Sequence, residues 1–225
     1  MKIIGINGSP RLKGNSATLL DKALEGARAA GAQTERVDLY PLNFKGCRSC
    51  FACKRKSSFY GKGCAMKDDA TEVFERMMEA DGWIFSSPLY LGHSSSSMCA
   101  FLERLHFSYL HTYEGGRQRM PSLKKPYPSV FIYDLNGGPQ FLEMMHLENA
   151  CEYETMLFDH AFGPSRHTII TNTVQFDDYS KYYTAAVNVA AKMVWHEEHW
   201  PKDLAEVYEL GRTLVTGEYA KEAEQ

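Results

Sequence analysis

The sequence of 225 residues lacks an apolar run long enough to cross a membrane, which needs about 20 consecutive apolar residues. It also lacks an excess of positive charge. Its net charge of −3 argues against the basic surface that binds nucleic acid or anionic lipid. Only a few apolar residues stand between Lys2 and Asn7, so the sequence indicates no signal peptide. We therefore expect a cytoplasmic protein with neither nucleic-acid nor membrane partners.

Several common enzyme motifs are absent too. The first glycine-containing loop has neither the GxGxxG of dinucleotide binding nor the GK[ST] of a P-loop. The sequence shows neither the Ser-His-Asp arrangement of nucleophilic catalysis nor a pair of carboxylates placed for general acid–base catalysis. His196-Glu-Glu-His199 does not match the HExxH zinc motif, and we interpret it as an exposed polar helix face. No repeat or linker divides the chain, which predicts one domain over residues 1–225.

The chain is organised around its first stretch, residues 2–18. Ile3 to Ile6 predict a buried strand, and residues 19–30 carry apolar side chains with helical spacing. The loop between them lies where parallel sheets bind ligands, and the first turn of a helix offers free N–H groups to an anion. We interpret the loop as a phosphate pocket, with donors from Ser9, Arg11, Asn15, Ser16 and Thr18.

A turn rich in helix-capping residues is the alternative interpretation of this loop. Its position after an N-terminal strand, and the spacing Ser-x-Arg-x-x-Gly-Asn-Ser, favour phosphate binding. The loop resembles the FMN phosphate loop of the NAD(P)H-dependent FMN reductase family. That resemblance implies a flavodoxin-like fold with FMN as cofactor.

The remaining pattern predicts an α/β fold. Strands are expected at 3–6, 33–40, 82–87, 130–133 and 167–174, and helices at 19–30, 68–78, 98–111, 140–159, 182–199 and 203–215. Pro88 is expected to end the third strand, and Pro201 to part the last two helices. Such alternation predicts a doubly wound, five-stranded parallel sheet in the flavodoxin-like order 2-1-3-4-5. Residues 42–67 form a cysteine-bearing excursion after strand 2.

The excursion carries four of the six cysteines. Cys47, Cys50 and Cys53 form a CxxCxxC run, and Cys64 follows after ten residues. Four thiolates are enough for a [4Fe–4S] cluster or for an all-cysteine zinc site. The alternative is that these cysteines have no redox role, or that two of them form a disulfide. In a reducing compartment the spacing favours a metal site.

The cysteine motif resembles that of the iron–sulfur flavoproteins, which belong to the same superfamily. The stretches that carry the resemblance are residues 46–54, 63–64, 67–69, 80–90, 101–104, 176–182 and 201–211. Two features depart from the family pattern. The gap before Cys64 is longer and carries Phe59 and Tyr60, and Cys99 stands where the family commonly has lysine. We expect Cys99 and Cys151 to be buried on helices.

A second loop is expected to border the flavin. Pro88 fixes the backbone, Tyr90 is able to stack on a flat ring, and Gly92 permits close approach. By resemblance, the wall of the isoalloxazine ring comprises Pro88, Leu89, Tyr90, Leu91 and Gly92, completed by Asn136 and Gly137. A turn around a buried tyrosine is the alternative. His93 is a weak candidate for a proton donor.

These observations predict an FMN-dependent oxidoreductase in which the flavin carries the chemistry and no side chain acts as a catalytic acid or base. NAD(P)H is the expected electron donor, and a small molecule or a protein is the acceptor. Two alternatives stay open: a flavodoxin-like electron carrier, and a zinc- or redox-responsive binding module. The resemblance also implies a homodimer or homotetramer, with residues 113–125 as an arm onto a neighbour.

Overall fold

The computed structural model describes residues 1–55, 62–110, 112–114, 117–119, 123–184 and 187–218. Its strands are β1 (Lys2–Asn7), β2 (Gln33–Asp38), β3 (Gly82–Tyr90), β4 (His93–Ser94), β5 (Thr112–Glu114), β6 (Arg117–Arg119), β7 (Ser129–Asp134) and β8 (Ser165–Ile170). Its helices are α1 (Asn15–Ala29), α2 (Asp69–Glu79), α3 (Ser96–Tyr109), α4 (Pro139–Met144), α5 (Leu147–Phe162) and α6 (Val189–Thr216).

Five parallel strands form the sheet in the order β2-β1-β3-β7-β8. Counted along the chain, this is the predicted flavodoxin-like order 2-1-3-4-5. The sheet differs in one detail, because the short strand β4 pairs antiparallel with the end of β3 and makes it six-stranded. Strands β5 and β6 form a separate antiparallel pair that overlaps residues 113–125, the segment expected to be an arm onto a neighbour.

Helices cover both faces of the sheet, which confirms the doubly wound architecture. The central strands are apolar on both faces because both are buried, as Ile3, Ile4 and Ile6 of β1 show. One face packs against α1 and α6. The other packs against α2, α3 and α5, where Trp83 stacks on Tyr127 with ring centroids 4.8 Å apart.

Helices α1 and α6 touch backbone to backbone. A Cβ atom added at Gly26 would lie 1.9 Å from the Tyr208 carbonyl oxygen, and one at Gly211 would lie 1.9 Å from that of Ala23. Only glycine permits this approach. The contact fixes α6 on the sheet, and its first turns then reach the loops after β7 and β8, where Lys192 donates to Asn136 and Asn172.

Several predicted boundaries were wrong, and the fifth strand, predicted to reach residue 174, ends at Ile170. Strand β3 continues through Pro88 to Tyr90, because Leu89 and Tyr90 gain a pairing partner in β4. The helix predicted over 140–159 is two helices, interrupted at Met145 and His146, where His146 adopts a left-handed φ of 52°.

The two helices predicted on either side of Pro201 are one, α6, which begins only at Val189. A proline inside a helix removes one backbone hydrogen bond. The packing of α6 against α1 is extensive enough for the helix to continue through it.

Candidate functional site

The loop between β1 and α1 is held by its own polar side chains. Asn7 Nδ2 donates to Asp38 at 2.7 Å, and Asn7 Oδ1 accepts from the Ser9 N–H at 3.0 Å. Ser9 Oγ accepts from the Arg11 N–H at 3.1 Å, and the Ser95 hydroxyl donates to the Gly8 carbonyl. These hydrogen bonds within the chain hold the loop in one conformation.

Helix α1 begins without a cap. Gly14 stands at the N-cap with no side chain to accept from the first N–H groups, and the first turn holds no acidic residue. The positive end of the helix dipole is thus left for an external anion. Arg11 lies beside this turn, because its carbonyl oxygen accepts from the Gly14 N–H at 3.0 Å. These features fit the phosphate of FMN.

The structure brings four of the five predicted donors to one cavity of about 130 Å³: Ser9, Arg11, Asn15 and Ser16. Arg11 Nη1 donates to the Gln175 carbonyl at 2.5 Å, and Asn15 Nδ2 donates to the Val174 carbonyl at 2.9 Å. These bonds tie the loop to the chain after β8 and leave Arg11 with further N–H donors. Thr18 lies apart, since its hydroxyl donates to the Gly14 carbonyl at 3.0 Å.

Asp134 shares this cavity and was not predicted. It ends β7, is 5% exposed and accepts a hydrogen bond from the Ser16 hydroxyl. Burial raises the pKa of Asp134 to about 6, and the Ser16 hydrogen bond opposes that change. The sequence did contain a signal, because Asp134 directly follows a run of apolar strand residues at the binding edge of the sheet.

We expect Asp134 to make stability depend on pH. Because its carboxyl pKa is higher in the folded chain, the folded state binds more protons, and stability falls as pH rises from about 4 through about 6. Raising this pKa from about 3.9 to about 6 corresponds to roughly 3 kcal/mol. As pH rises from about 4.5 to 7.5, wild type should lose about 2 kcal/mol of unfolding free energy relative to Asp134→Asn, which has no carboxyl group to titrate. Urea denaturation at the two pH values measures this difference. A pH-independent difference would contradict this.

A larger cleft of about 1040 Å³ adjoins the small cavity, and both are lined by Leu89, Leu135 and Asn136. Of the predicted flavin wall, Leu89, Leu91, Gly92, Asn136 and Gly137 line the cleft, and Pro88 and Tyr90 line the small cavity. The opposite side comes from helices that the sequence analysis did not assign to the site. They contribute Phe141, Leu147, Lys192 and Trp195, and Met145 joins them from the interruption between α4 and α5.

The loop of residues 88–92, called the wall loop below, turns tightly between β3 and β4. Leu91 and Gly92 both adopt left-handed φ values, 53° and 88°. Gly92 takes this conformation at little cost, whereas Leu91 is strained and its side chain is fully exposed beside the cleft. His93 follows in β4, with Nδ1 3.8 Å from the Cys99 sulfur. Cys99 is half-buried and donates to the Ser94 carbonyl, whereas Cys151 is buried as expected.

The four cysteines of the excursion differ in exposure: Cys53 is buried, Cys50 exposed, and Cys47 and Cys64 half-buried. Burial raises the pKa of the Cys53 thiol, and the other three cysteines add to that effect while Lys54 opposes it. Within the part of the chain that the structure describes, no three ligands are close enough to hold a metal ion. Phe59 and Tyr60 lie outside the described residues.

The excursion is anchored on α3. The Cys47 N–H donates to the Glu103 carboxylate at 3.2 Å, and the buried Arg104 guanidinium pairs with Asp68 at 2.6 Å. The ring of Phe51 meets that of Phe107 edge-on at 5.6 Å. In number and chemistry the four sulfurs fit an iron–sulfur cluster or zinc, and the loop would have to tighten around Cys53 to bind either.

Comparison with known proteins identifies the family. The sequence profile described as NADPH-dependent FMN reductase matches residues 1–127, more than half of the chain. The chain belongs to the NADPH-dependent FMN reductase family. Membership confirms the predicted family. Among the helices described for this FMN reductase family member, none is both long and apolar enough to span a membrane.

Curated relatives of this family member include iron–sulfur flavoproteins. One from Methanocaldococcus jannaschii is 38% identical over 104 residues, which is 46% of this chain and 51% of that protein. One from Methanosarcina thermophila is 36% identical over 104 residues, 46% of this chain and 52% of that protein. The chain thus spans about half the length of the curated relatives it matches.

Solved structures confirm the fold. An NAD(P)H:quinone oxidoreductase from Methanothermobacter marburgensis superposes with a TM-score of 0.66 at 21% identity, covering 95% of this chain and 96% of that one. An azoreductase from Bacillus anthracis superposes with a TM-score of 0.64 at 15% identity, covering 95% and 99%. At these identities the likeness concerns the fold of this FMN reductase family member alone.

Proposed function

We propose that the protein is an FMN-dependent oxidoreductase that takes electrons from NAD(P)H and passes them to a small-molecule or protein acceptor. One observation carries the proposal. The uncapped N-terminus of α1, with Arg11 beside it, opens into a small polar cavity that joins a large, mostly apolar cleft. A phosphate on a flat ring system needs these two environments side by side.

The roles of the chain's residues follow from that arrangement. Arg11 and the first N–H groups of α1 would hold the phosphate, with Asn15 bracing the loop against residue 174. The wall loop 88–92 and residues 136–137 would pack against the ring and exclude water from it. FMN supplies the one- and two-electron chemistry when bound. The chain contributes orientation, an apolar environment and the local charges.

We further propose that Cys47, Cys50, Cys53 and Cys64 hold an iron–sulfur cluster. The support is the set of four thiols in one segment of the chain and the curated relatives named iron–sulfur flavoproteins. A cluster transfers single electrons and flavin transfers one or two, so together they would couple a nicotinamide to a one-electron partner. A zinc-binding module is the alternative use of these thiols.

A second candidate function is electron transfer between proteins without turnover of a small molecule. The exposed side chains of Cys50 and Phe51 favour it, because they place the cysteine-bearing excursion at the surface, where a protein partner is able to dock. Steady-state oxidation of NADH or NADPH by the FMN-loaded protein, with a quinone as acceptor, separates the two. The proposed enzyme oxidises the nicotinamide in proportion to its FMN content. An FMN-loaded protein that oxidises neither nucleotide would contradict the enzyme and favour the carrier.

We also propose a homodimer or homotetramer. Exposed apolar side chains of Leu91, Phe141 and Met145 line the cleft, and helices α4 and α5 expose three more, those of Met144, Tyr153 and Met156. A second copy would cover them, since monomers rarely leave such a patch in water. Light scattering should give at least twice the mass of one chain, and Met144→Glu should lower it. A wild-type protein that stays monomeric at working concentration would refute this.

A further inference from the structure

Lys192 is a buried cation on α6. It is 4% exposed, and its Nζ donates to the Asn136 carbonyl at 2.9 Å and to Asn172 Oδ1 at 2.8 Å. Both acceptors are neutral, and among the described residues no carboxylate forms an ion pair with Lys192. Burial lowers the pKa of the Lys192 amine. Because an unpaired buried charge is unfavourable, the position calls for an anion that the chain does not supply.

Lys192 lines the cleft and has hydrogen-bonding capacity left. An ammonium group has three donors, two of which are used, and Lys192 is one of the residues that line the cleft. Beside it, Asn136 Oδ1 is buried without a hydrogen-bond partner. The wall of the cleft therefore holds a cationic donor next to an unused acceptor, which a turn of the Asn136 side chain would expose to a ligand. A ligand that satisfies both has an electron-rich acceptor adjacent to an N–H group.

The pyrimidine edge of a flavin has this pattern, with acceptors at N1 and O2 and a donor at N3. We propose that Lys192 and Asn136 bind this edge, and that Lys192 compensates the negative charge that the ring gains at N1 and O2 on reduction. This inference rests on the proposed FMN binding and assigns a residue that the sequence did not predict. Asn136 Oδ1 accepts from N3, and Lys192 Nζ donates to O2.

A purely structural role for Lys192 predicts something different. The two bonds to neutral acceptors would then serve only to join α6 to the loops after β7 and β8. Losing them would affect both oxidation states of the flavin alike. A charge that meets the reduced ring instead stabilises the reduced form selectively, so the ratio of the two affinities separates the roles.

The test compares wild type with Lys192→Met, Lys192→Gln and Lys192→Arg, and with Lys202→Met, which removes an exposed lysine from the same helix. Fluorescence titration of the apoproteins gives the dissociation constant of oxidised FMN. Equilibrium reduction by dithionite against a reference dye gives the potential of bound FMN. In Lys192→Met and Lys192→Gln the affinity for reduced FMN should fall at least tenfold more than that for oxidised FMN, a decrease of about 30 mV.

Lys192→Arg and Lys202→Met should keep the wild-type ratio within threefold. Lys192→Gln keeps a polar side chain, so it remains informative if the methionine variant does not fold. A wild-type ratio in both neutral variants, or an equal change in Lys192→Arg, would overturn the role of the charge. If wild type binds FMN but the neutral variants keep the wild-type ratio of reduced to oxidised affinity, only the role of Lys192 fails and the proposed function stands. If wild type binds no FMN, the proposed function and the role of Lys192 both fail.

Discussion

Replacing Arg11 by alanine is expected to weaken FMN binding ten- to a hundred-fold. Arg11 lies beside the uncapped first turn of α1 and lines the small cavity, where it is placed to form a charged hydrogen bond with a phosphate. Losing such a bond costs about 1.5–3 kcal/mol. Asn15→Ala should act in the same direction, because its side chain ties the loop to the Val174 carbonyl. Titration of the apoproteins with FMN, followed by flavin fluorescence, measures both.

Riboflavin provides the control, because it has the same ring without the phosphate. Wild type and Arg11→Ala should bind it equally, whereas a general collapse of the loop would weaken both ligands. Arg11→Lys should retain part of the affinity for FMN, since it keeps the charge but loses the planar fork. If Arg11→Ala binds FMN as tightly as wild type does, the loop between β1 and α1 is not the phosphate-binding site.

Replacing Cys64 by alanine is expected to abolish the full iron complement of the cysteine loop. Reconstituted with iron and sulfide without oxygen, wild type should bind about four iron atoms per chain, as four thiolates support one [4Fe–4S] cluster. The ten residues between Cys53 and Cys64 do not forbid closure, because doubling a loop costs only about 0.6 kcal/mol. Iron, sulfide and zinc analysis with absorbance spectra measures the outcome.

Cys99→Ala is the matched control, because Cys99 is a half-buried thiol outside the excursion. It should keep the wild-type iron content. A wild type that takes up no iron, or a Cys64→Ala variant with a full complement, would refute the four-ligand site. Zinc bound without sulfide would identify the loop as a zinc site and leave electron transfer to the flavin alone.

The sheet could be predicted because its central strands are buried on both faces and therefore read as short apolar runs, such as Ile3 to Ile6. The position of the loop 88–92 beside the cavities could be predicted because it follows the third of these strands at the ligand-binding edge. The interruption at His146 could not be predicted, because it depends on a left-handed backbone conformation at a residue that is not glycine. Its consequence is that α4 and α5 both reach the cleft.

Lys192 was missed for a different reason. In sequence it is one lysine in a helix with mixed polar and apolar residues, and such lysines are usually exposed. Its burial results from the backbone contact at Gly26 and Gly211, which fixes α6 against α1 and brings Lys192 to the carbonyl of Asn136. Only the folded chain shows that contact. Thr18 was assigned to the pocket by proximity in sequence, and its hydroxyl bonds to Gly14 instead.

The central claim is that the joined cavities bind FMN where a nicotinamide is able to reduce it. Anaerobic stopped-flow spectroscopy of the FMN-loaded protein, mixed with NADH or NADPH, measures this directly through the visible absorbance of oxidised flavin. The account predicts loss of that absorbance at a rate that rises and then saturates with the concentration of at least one nucleotide. Bound FMN that stays oxidised with both nucleotides, yet is reduced by dithionite, would contradict it.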